Sequence, residues 1–322
     1  MLTSIIAIII GFSLLIWGAD RFVIGASATA RNLGISPLII GLTIVGFGTS
    51  APEMLVSGIA AWSGNPGIGL GNAMGSNITN IGLVLGVTAL VVPISVHSKV
   101  LRREFPILVF IMAIALYLLW DLNLGLIDGL ILLGGMIMMI LWMVHIGLKE
   151  KSADPMTNEF SDEIPTDMAT GVALLWLLIG LLTLLGSSKL LVWGAINVAQ
   201  SFGISDLVIG LTIIAIGTSL PELAATVMSA LKGEHDIAVG NVLGSNMFNL
   251  LAVLGIPGII QPADFDIVAL DRDYLVMALF TVALFVMAYG FRGKGGRLNR
   301  IEGAILLSGY IGYMTLLYRT AL

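Results

Sequence analysis

Shifted by 169 residues, the chain matches itself: Gly34 to Pro93 against Gly203 to Pro262 gives 27 identities in 60 positions without a gap. The segment GISPLIIGLTIVGFGTSAPE is answered by GISDLVIGLTIIAIGTSLPE, and GNAMGSNITN by GNVLGSNMFN. Upstream, Gly11, Gly25 and Ala26 stand over Gly180, Gly194 and Ala195. After a five-residue insertion, Ile127-Asp128-Gly129 corresponds to Ile301-Glu302-Gly303. Two copies of one unit must therefore fold alike and pack together.

That unit belongs in a membrane. Of 322 residues, 57% are hydrophobic and 11% charged, with a mean hydropathy of +1.02, whereas a soluble domain carries about 25% charged residues. Runs long enough to cross a bilayer, about 20 residues each, fall near 2–30, 37–62, 69–92, 104–120 and 125–148. The second copy has them near 169–200, 206–231, 238–260, 273–290 and 300–318. The expected fold is an all-α integral membrane protein with ten transmembrane helices. Its parts are a first five-helix repeat (1–148), an acidic loop (149–168) and a second repeat (169–322). With five spans per copy, the second must enter from the opposite side, so the repeats are inverted. Inverted repeats typify secondary transporters whose sites lie at the midplane between the halves.

Of the fifteen basic residues, Arg31, Lys99, Arg102, Arg103, Lys149, Lys151, Lys232, Arg292, Lys294, Arg297 and Arg300 fall on one face of this layout, against Arg272 and Arg319 on the other. Positive charge favours the cytoplasmic side. The expectation is an inner-membrane protein with a cytoplasmic central loop and both termini periplasmic or extracellular. The apolar stretch from Leu2 to Trp17 has no basic residue before it and reads as a first span, not a cleaved signal.

The repeated motif carries the chemistry. Glu53 and Glu222 occupy equivalent positions deep in expected spans, where a charged side chain costs on the order of 3 kcal/mol and is functional by default. Pro52 and Pro221 lack an N–H, so the carbonyls of Gly48 and Gly217 lose their helical partners. Free carbonyls inside a bilayer must line a cavity or find other partners. Thr49, Ser50, Thr218 and Ser219 fall at this break, near mid-span. In the second motif, Asn72, Ser76 and Asn80 recur every four residues on one helix face, as do Asn241, Ser245 and Asn249. Asn72 and Asn241 read equally well as interhelical glue or as ligands, while Ser76, Asn80, Ser245 and Asn249 read as ligands. Carboxylate, hydroxyl, amide and carbonyl oxygens are what hard cations seek.

Other chemistries fit badly. There is no cysteine, no HExxH helix and no phosphate-binding loop, and the net charge of −5 implies no nucleic-acid partner. The chain reads as no enzyme, with no cofactor and no obligate protein partner called for.

The duplicated GTSAPE/GTSLPE and GNAMGSN/GNVLGSN motifs resemble the cation/calcium exchanger superfamily, especially its bacterial and archaeal sodium/calcium exchangers, over nearly the whole chain. The resemblance implies that Glu53 and Glu222 ligate calcium with the main-chain oxygens of Thr49 and Thr218. It implies sodium sites at Ser50, Ser76, Ser219 and Ser245, with the carbonyls of Gly46 and Ala215, and a central site completed by Asn80 and Asn249. It also implies that the glycine-rich spans one and six slide across the other eight. Relatives often carry aspartate where Asn249 stands, which leaves the coupling ion open. The expected activity is calcium-for-sodium antiport by alternating access. The alternatives are calcium/proton antiport, with the glutamates carrying the protons, and a calcium-selective channel.

Overall fold

The computed structural model describes residues 1–35, 46–96, 99–149, 167–288 and 296–321. The first part of the expected second span (37–45), most of the acidic loop (150–166), His97, Arg292 and Lys294 lie outside the described residues.

The first copy contains α1 (Leu2–Asn32), α2 (Gly46–Thr49), α3 (Ala51–Trp62), α4 (Pro66–Val91), strand β1 (Ile94–Val96), α5 (Lys99–Leu118), β2 (Asn123–Leu124) and α6 (Leu126–Lys149). The second contains α7 (Thr170–Phe202), α8 (Asp206–Thr218), α9 (Leu220–Lys232), α10 (His235–Ile260), β3 (Ala263–Asp264), α11 (Leu275–Ala288), β4 (Gly296–Leu298) and α12 (Arg300–Ala321). Among the described residues, seven single helices are long and apolar enough to cross a membrane: α1, α4, α5, α6, α7, α10 and α12. The bent pair α8–α9 makes an eighth. The two other expected spans are represented by α2–α3 and by α11, which follows a π-helical turn at Ala269–Tyr274. That turn carries Asp271, Arg272 and Asp273, so the apolar run there is short.

Packing repeats with the sequence. An added Cβ at Gly25 would press on Ala173 O and Leu177 N, and one at Gly194 would press on Ser4 O and Ile8 N, which are the same contacts shifted by 169. These glycines let α1 and α7 meet backbone to backbone, as small residues do where helices associate in lipid. The backbones of Gly86 in α4 and Gly303 in α12 crowd each other, and so do those of Gly255 in α10 and Gly129 in α6. The short strands follow suit. β1 pairs antiparallel with β4, matching Ile94 to Leu298, and β2 pairs with β3, matching Asn123 to Asp264. In each pair, one strand closes the third long element of its copy and the other precedes the last helix of the opposite copy.

Two apolar clusters result. The larger is built chiefly from α4, α5, α6, α10, α11 and α12. The smaller joins Leu15 and Ala19 of α1 to Leu184, Leu191 and Val192 of α7, and reaches Ala51, Val56 and Ala60 of α3. The α1–α7 pair thus rests on the broken helices through mostly small and aliphatic side chains.

Candidate functional site

Both copies break at the same place. α3 begins at Ala51 with Pro52 in its first turn, after Ser50. α9 begins at Leu220 with Pro221 in its first turn, after Ser219, at a 41° bend from α8. Proline cannot donate to the previous turn, so the ladder stops and resumes at Met54 N→Ser50 O (3.2 Å) and Leu223 N→Ser219 O (3.0 Å). Glu53 and Glu222 are each the third residue of the resuming helix. Its amino-terminal partial charge favours a carboxylate there. α8 ends at Thr218 beside the same break, and the negative partial charge of a helix carboxyl end suits a cation.

The two glutamates are 1% and 0% exposed. Burial would demand partners for their oxygens, yet few are supplied. Ser245 Oγ donates to Glu222 Oε1 at 3.3 Å. Glu222 Oε2, both oxygens of Glu53, Ser50 Oγ, Ser219 Oγ, Asn80 Oδ1 and Asn249 Oδ1 are all buried with no hydrogen-bond partner. Unpaired buried polar atoms are rare and cost free energy. Seven such oxygens from equivalent positions of two repeats are the donor set of a hard cation, which takes six to eight oxygens. Among the described residues no three acids or histidines converge, so the set is two carboxylates supplemented by neutral oxygens.

The remaining expected ligands surround this set. The Thr49 hydroxyl lies within donating reach of Gly46 O (3.2 Å) and Asn241 Oδ1 (3.3 Å), and 3.4 Å from Ser245 Oγ. The Thr218 hydroxyl reaches Ile214 O (3.0 Å) and Asn72 Oδ1 (3.3 Å). Ser76 Oγ donates to Asn72 Oδ1 at 3.2 Å. Of the two carbonyls at the head of the break, Gly46 O takes the Thr49 hydroxyl and Ala215 O takes Ser219 N at 3.1 Å.

The structure gives Asn72 several protein partners. Its Nδ2 donates to Glu53 O (3.1 Å) and Ser57 Oγ (3.0 Å), while its Oδ1 accepts from Ser76 and Thr218. Both Nδ2 protons are used and Oδ1 accepts from Ser76, with the Thr218 hydroxyl shared between it and Ile214 O, an arrangement that favours Asn72 as a brace of the break. Asn241 repeats part of the pattern, donating to Thr226 Oγ1 at 3.3 Å.

Asn77 and Asn246 were not among the residues expected at the site. Asn80 Nδ2 donates to Asn246 Oδ1 (3.1 Å) and Asn249 Nδ2 to Asn77 Oδ1 (3.0 Å), one bond the image of the other across the copies. Asn77 Nδ2 goes to Asn246 O at 3.3 Å and to Met277 Sδ at 3.5 Å. With each Nδ2 engaged, Asn80 and Asn249 keep their Oδ1 atoms for an ion. π-helical turns begin at both residues, Asn80–Leu85 and Asn249–Val253, and such turns recur at functional sites. The available signal was the invariant third residue of GSN in both motifs, three positions before Asn80 and Asn249. Two more buried acids, Glu104 and Asp273, also stand 169 apart. Asp273 is spent on Arg272 (Oδ1 to Nε, 2.7 Å) and on the Tyr313 hydroxyl (2.8 Å), away from the site.

Among the described residues, one approach to the site is visible. A cavity of about 580 Å³ between α1 and α9 reaches Thr49 and Pro221, lined also by Trp17, Asp20 and Met228. Ala224 and Met228 beside it correspond to Leu55 and Ile59, where a crevice of about 410 Å³ is lined by apolar residues alone.

Comparison with known proteins agrees with this geometry. The family model described as sodium/calcium exchanger protein matches residues 3–145 and 172–319, both copies of the repeat. CaxA of Alkalimonas amylolytica is 52% identical over 99% of each chain. The inner membrane protein YrbG of Escherichia coli K12 is 41% identical, covering 99% of this chain and 98% of its own. A solved structure of the sodium-calcium exchanger NCX_Mj superposes with a TM-score of 0.67 at 32% identity, covering 98% of both chains. The chain thus belongs to the sodium/calcium exchanger protein family, a family of membrane transporters and not of enzymes.

Proposed function

We propose that this protein exchanges calcium for sodium across the inner membrane by alternating access, using one site shared by both ions. The carrying observation is the set of seven buried, unpartnered oxygens around Glu53 and Glu222. Two carboxylates balance one calcium or accompany two or three sodium ions, and loads competing for shared ligands cannot be bound together. Thr49, Thr218, Ser50, Ser219, Ser76, Ser245, Asn80 and Asn249, with the carbonyls of Gly46 and Ala215, complete the proposed ligand set.

Ten spans in two inverted repeats, 1–148 and 169–322 about a cytoplasmic loop, remain the proposed topology. The strand pairs support it. β1 and its repeat mate β3 join different pairs, and α5 (20 residues, about 30 Å at 1.5 Å per residue) separates β1 from β2, which pairs with β3. Equivalent strands at opposite ends of one span are what inversion requires. The cavity at Thr49, set against the apolar crevice at its repeat image, supports alternating access, with the Thr49 side open and the Thr218 side closed. In this orientation the open side is cytoplasmic and both termini are outside.

Purified protein in liposomes, with sodium and pH gradients imposed separately, tests the reading. Calcium uptake driven by outward sodium at uniform pH is the expected result. Uptake driven only by a proton gradient would move the assignment to calcium/proton antiport, which the unpartnered Glu53 carboxyl could also serve. Calcium flux independent of any trans ion would make it a channel.

A further inference from the structure

Asp20 lies in the middle of α1, lines the cavity that leads to Thr49, and keeps 55% of its side chain exposed. Shifted by 169, its place is taken by Lys189, exposed in the middle of α7. The two helices pack about each other through repeat-equivalent contacts, so positions 20 and 189 are images on one symmetric pair. The image of the open cavity would have Leu182, Leu185 and Lys189 where this one has Ser13, Ile16 and Asp20. The site itself is near-symmetric in composition. The approaches to it differ in sign.

We infer that Asp20 and Lys189 set the two faces of the exchanger to unequal apparent cation affinity. Asp20 gathers cations at the entrance open here, and Lys189 repels them from the opposite entrance when that one opens. The inference rests on the alternating-access reading, in which the α1–α7 pair uncovers one entrance and then the other. Arg21 is the opposing charge to consider. It sits 3.4 Å from Asp20, but its guanidinium stacks over Trp176 of α7 (4.9 Å) and Trp17 (5.9 Å) and does not line the cavity. Asp20 therefore presents its carboxylate to the entrance while Arg21 points at the helix partner. Lys189 has no acid at the neighbouring positions, with Ser188 before it and Leu190 after. Clefts lined by one sign of charge concentrate counter-ions at their mouths. The energy scales with ion valence, so any change in sodium occupancy is squared for calcium.

The signature is specific. In liposomes with uniform protein orientation, Asp20→Asn is expected to raise half-saturating calcium about fivefold and half-saturating sodium about twofold on the Asp20 face alone. Lys189→Gln is expected to lower half-saturating calcium on the opposite face alone, and it remains informative if Asp20→Asn fails to fold. Both effects should shrink in high choline chloride, because mobile salt screens the entrances. Equal shifts on both faces, or calcium and sodium shifting alike, would overturn the inference. A native protein that needs no trans ion would remove the exchange reading and this inference with it. Normal exchange with unchanged half-saturation in both variants would remove this inference alone.

Discussion

The two halves of the site carry the same motif and do not make the same contacts. Ser245 donates to Glu222, whereas its image Ser76 donates to Asn72 and makes no hydrogen bond to the Glu53 carboxylate. Phe12 of α1 fills the space beside Gly217, while Gly48 is met by Val23 of the same helix and not by Leu181, the image of Phe12. The amide crossing, Asn80 to Asn246 and Asn249 to Asn77, stays symmetric. The symmetric bonds join α4 to α10, and the asymmetric contacts lie around the two glutamates and where α1 meets the glycines of the break. The amide crossing thus obeys the repeat, while the contacts around the glutamates and α1 do not, a difference that the proposed alternating access would explain by one entrance being open.

The severest way to test this comparison is to neutralise each glutamate. Glu53→Gln and Glu222→Gln remove one of two charges while keeping shape. Removing one member of a buried charge set costs about 3 kcal/mol or more, on the order of a hundredfold, so calcium flux in liposomes should be lost in both. Loss in one variant alone would mean that the contact difference is permanent and not a property of the open side.

A smaller and symmetric effect is expected from the asparagines. Asn77→Leu strands Asn249 Nδ2, and Asn246→Leu strands Asn80 Nδ2. An unsatisfied buried donor costs about 1–3 kcal/mol, so half-saturating calcium should rise roughly tenfold in each variant with the protein still monodisperse in detergent. Unequal rises would show that the crossing is not the symmetric element described here.

Asn249→Asp sharpens the point on one residue. A protonated acid can donate to Asn77 Oδ1 as the native amide does, whereas an ionised one faces that oxygen with no proton between them. Asn77 cannot turn to help, since its Nδ2 is engaged by Asn246 O and Met277. Calcium half-saturation should therefore be native-like at about pH 5.5 and change several-fold by about pH 8.5, with a flatter profile in the native protein. Identical profiles would place residue 249 outside the ion path.

The mildest expected effect separates the serines. Ser76→Ala and Ser245→Ala each remove one hydroxyl worth about 1 kcal/mol, a few-fold in half-saturating sodium. If the asymmetry belongs to the open side, the two variants should shift sodium dependence by similar factors. A consistently larger effect at Ser245 would tie the difference to residue identity around each serine.

Much of the proposed site is legible because chemistry and repetition coincide there. Glu53 and Glu222 stand out as acids inside apolar runs that recur 169 residues apart, Ser50 and Ser219 as neighbours of the repeated proline break, and Asn80 and Asn249 by their four-residue spacing in the second motif. Asn77 and Asn246 were missed because their role is made by a bond to the opposite copy, which no local pattern reports. Glu104 and Asp273 escaped notice because acids near the end of an apolar run look like ordinary helix ends. Whether Asn72 was ligand or brace depended on its four partners, which come from three separate segments.

The sequence by itself determined that this chain lives in a membrane, that it is a duplicated unit, and where its buried acid pair lies. Those facts follow from the cost of polar groups in hydrocarbon, and that cost is paid residue by residue. Only the tertiary structure decided how the copies are clipped together by strand pairs such as Ile94 with Leu298, which amide oxygens lack protein partners, and where a cavity reaches Thr49. These depend on contacts between segments more than 150 residues apart. No pattern within either copy reports such contacts, because each is made by residues of both copies meeting in space.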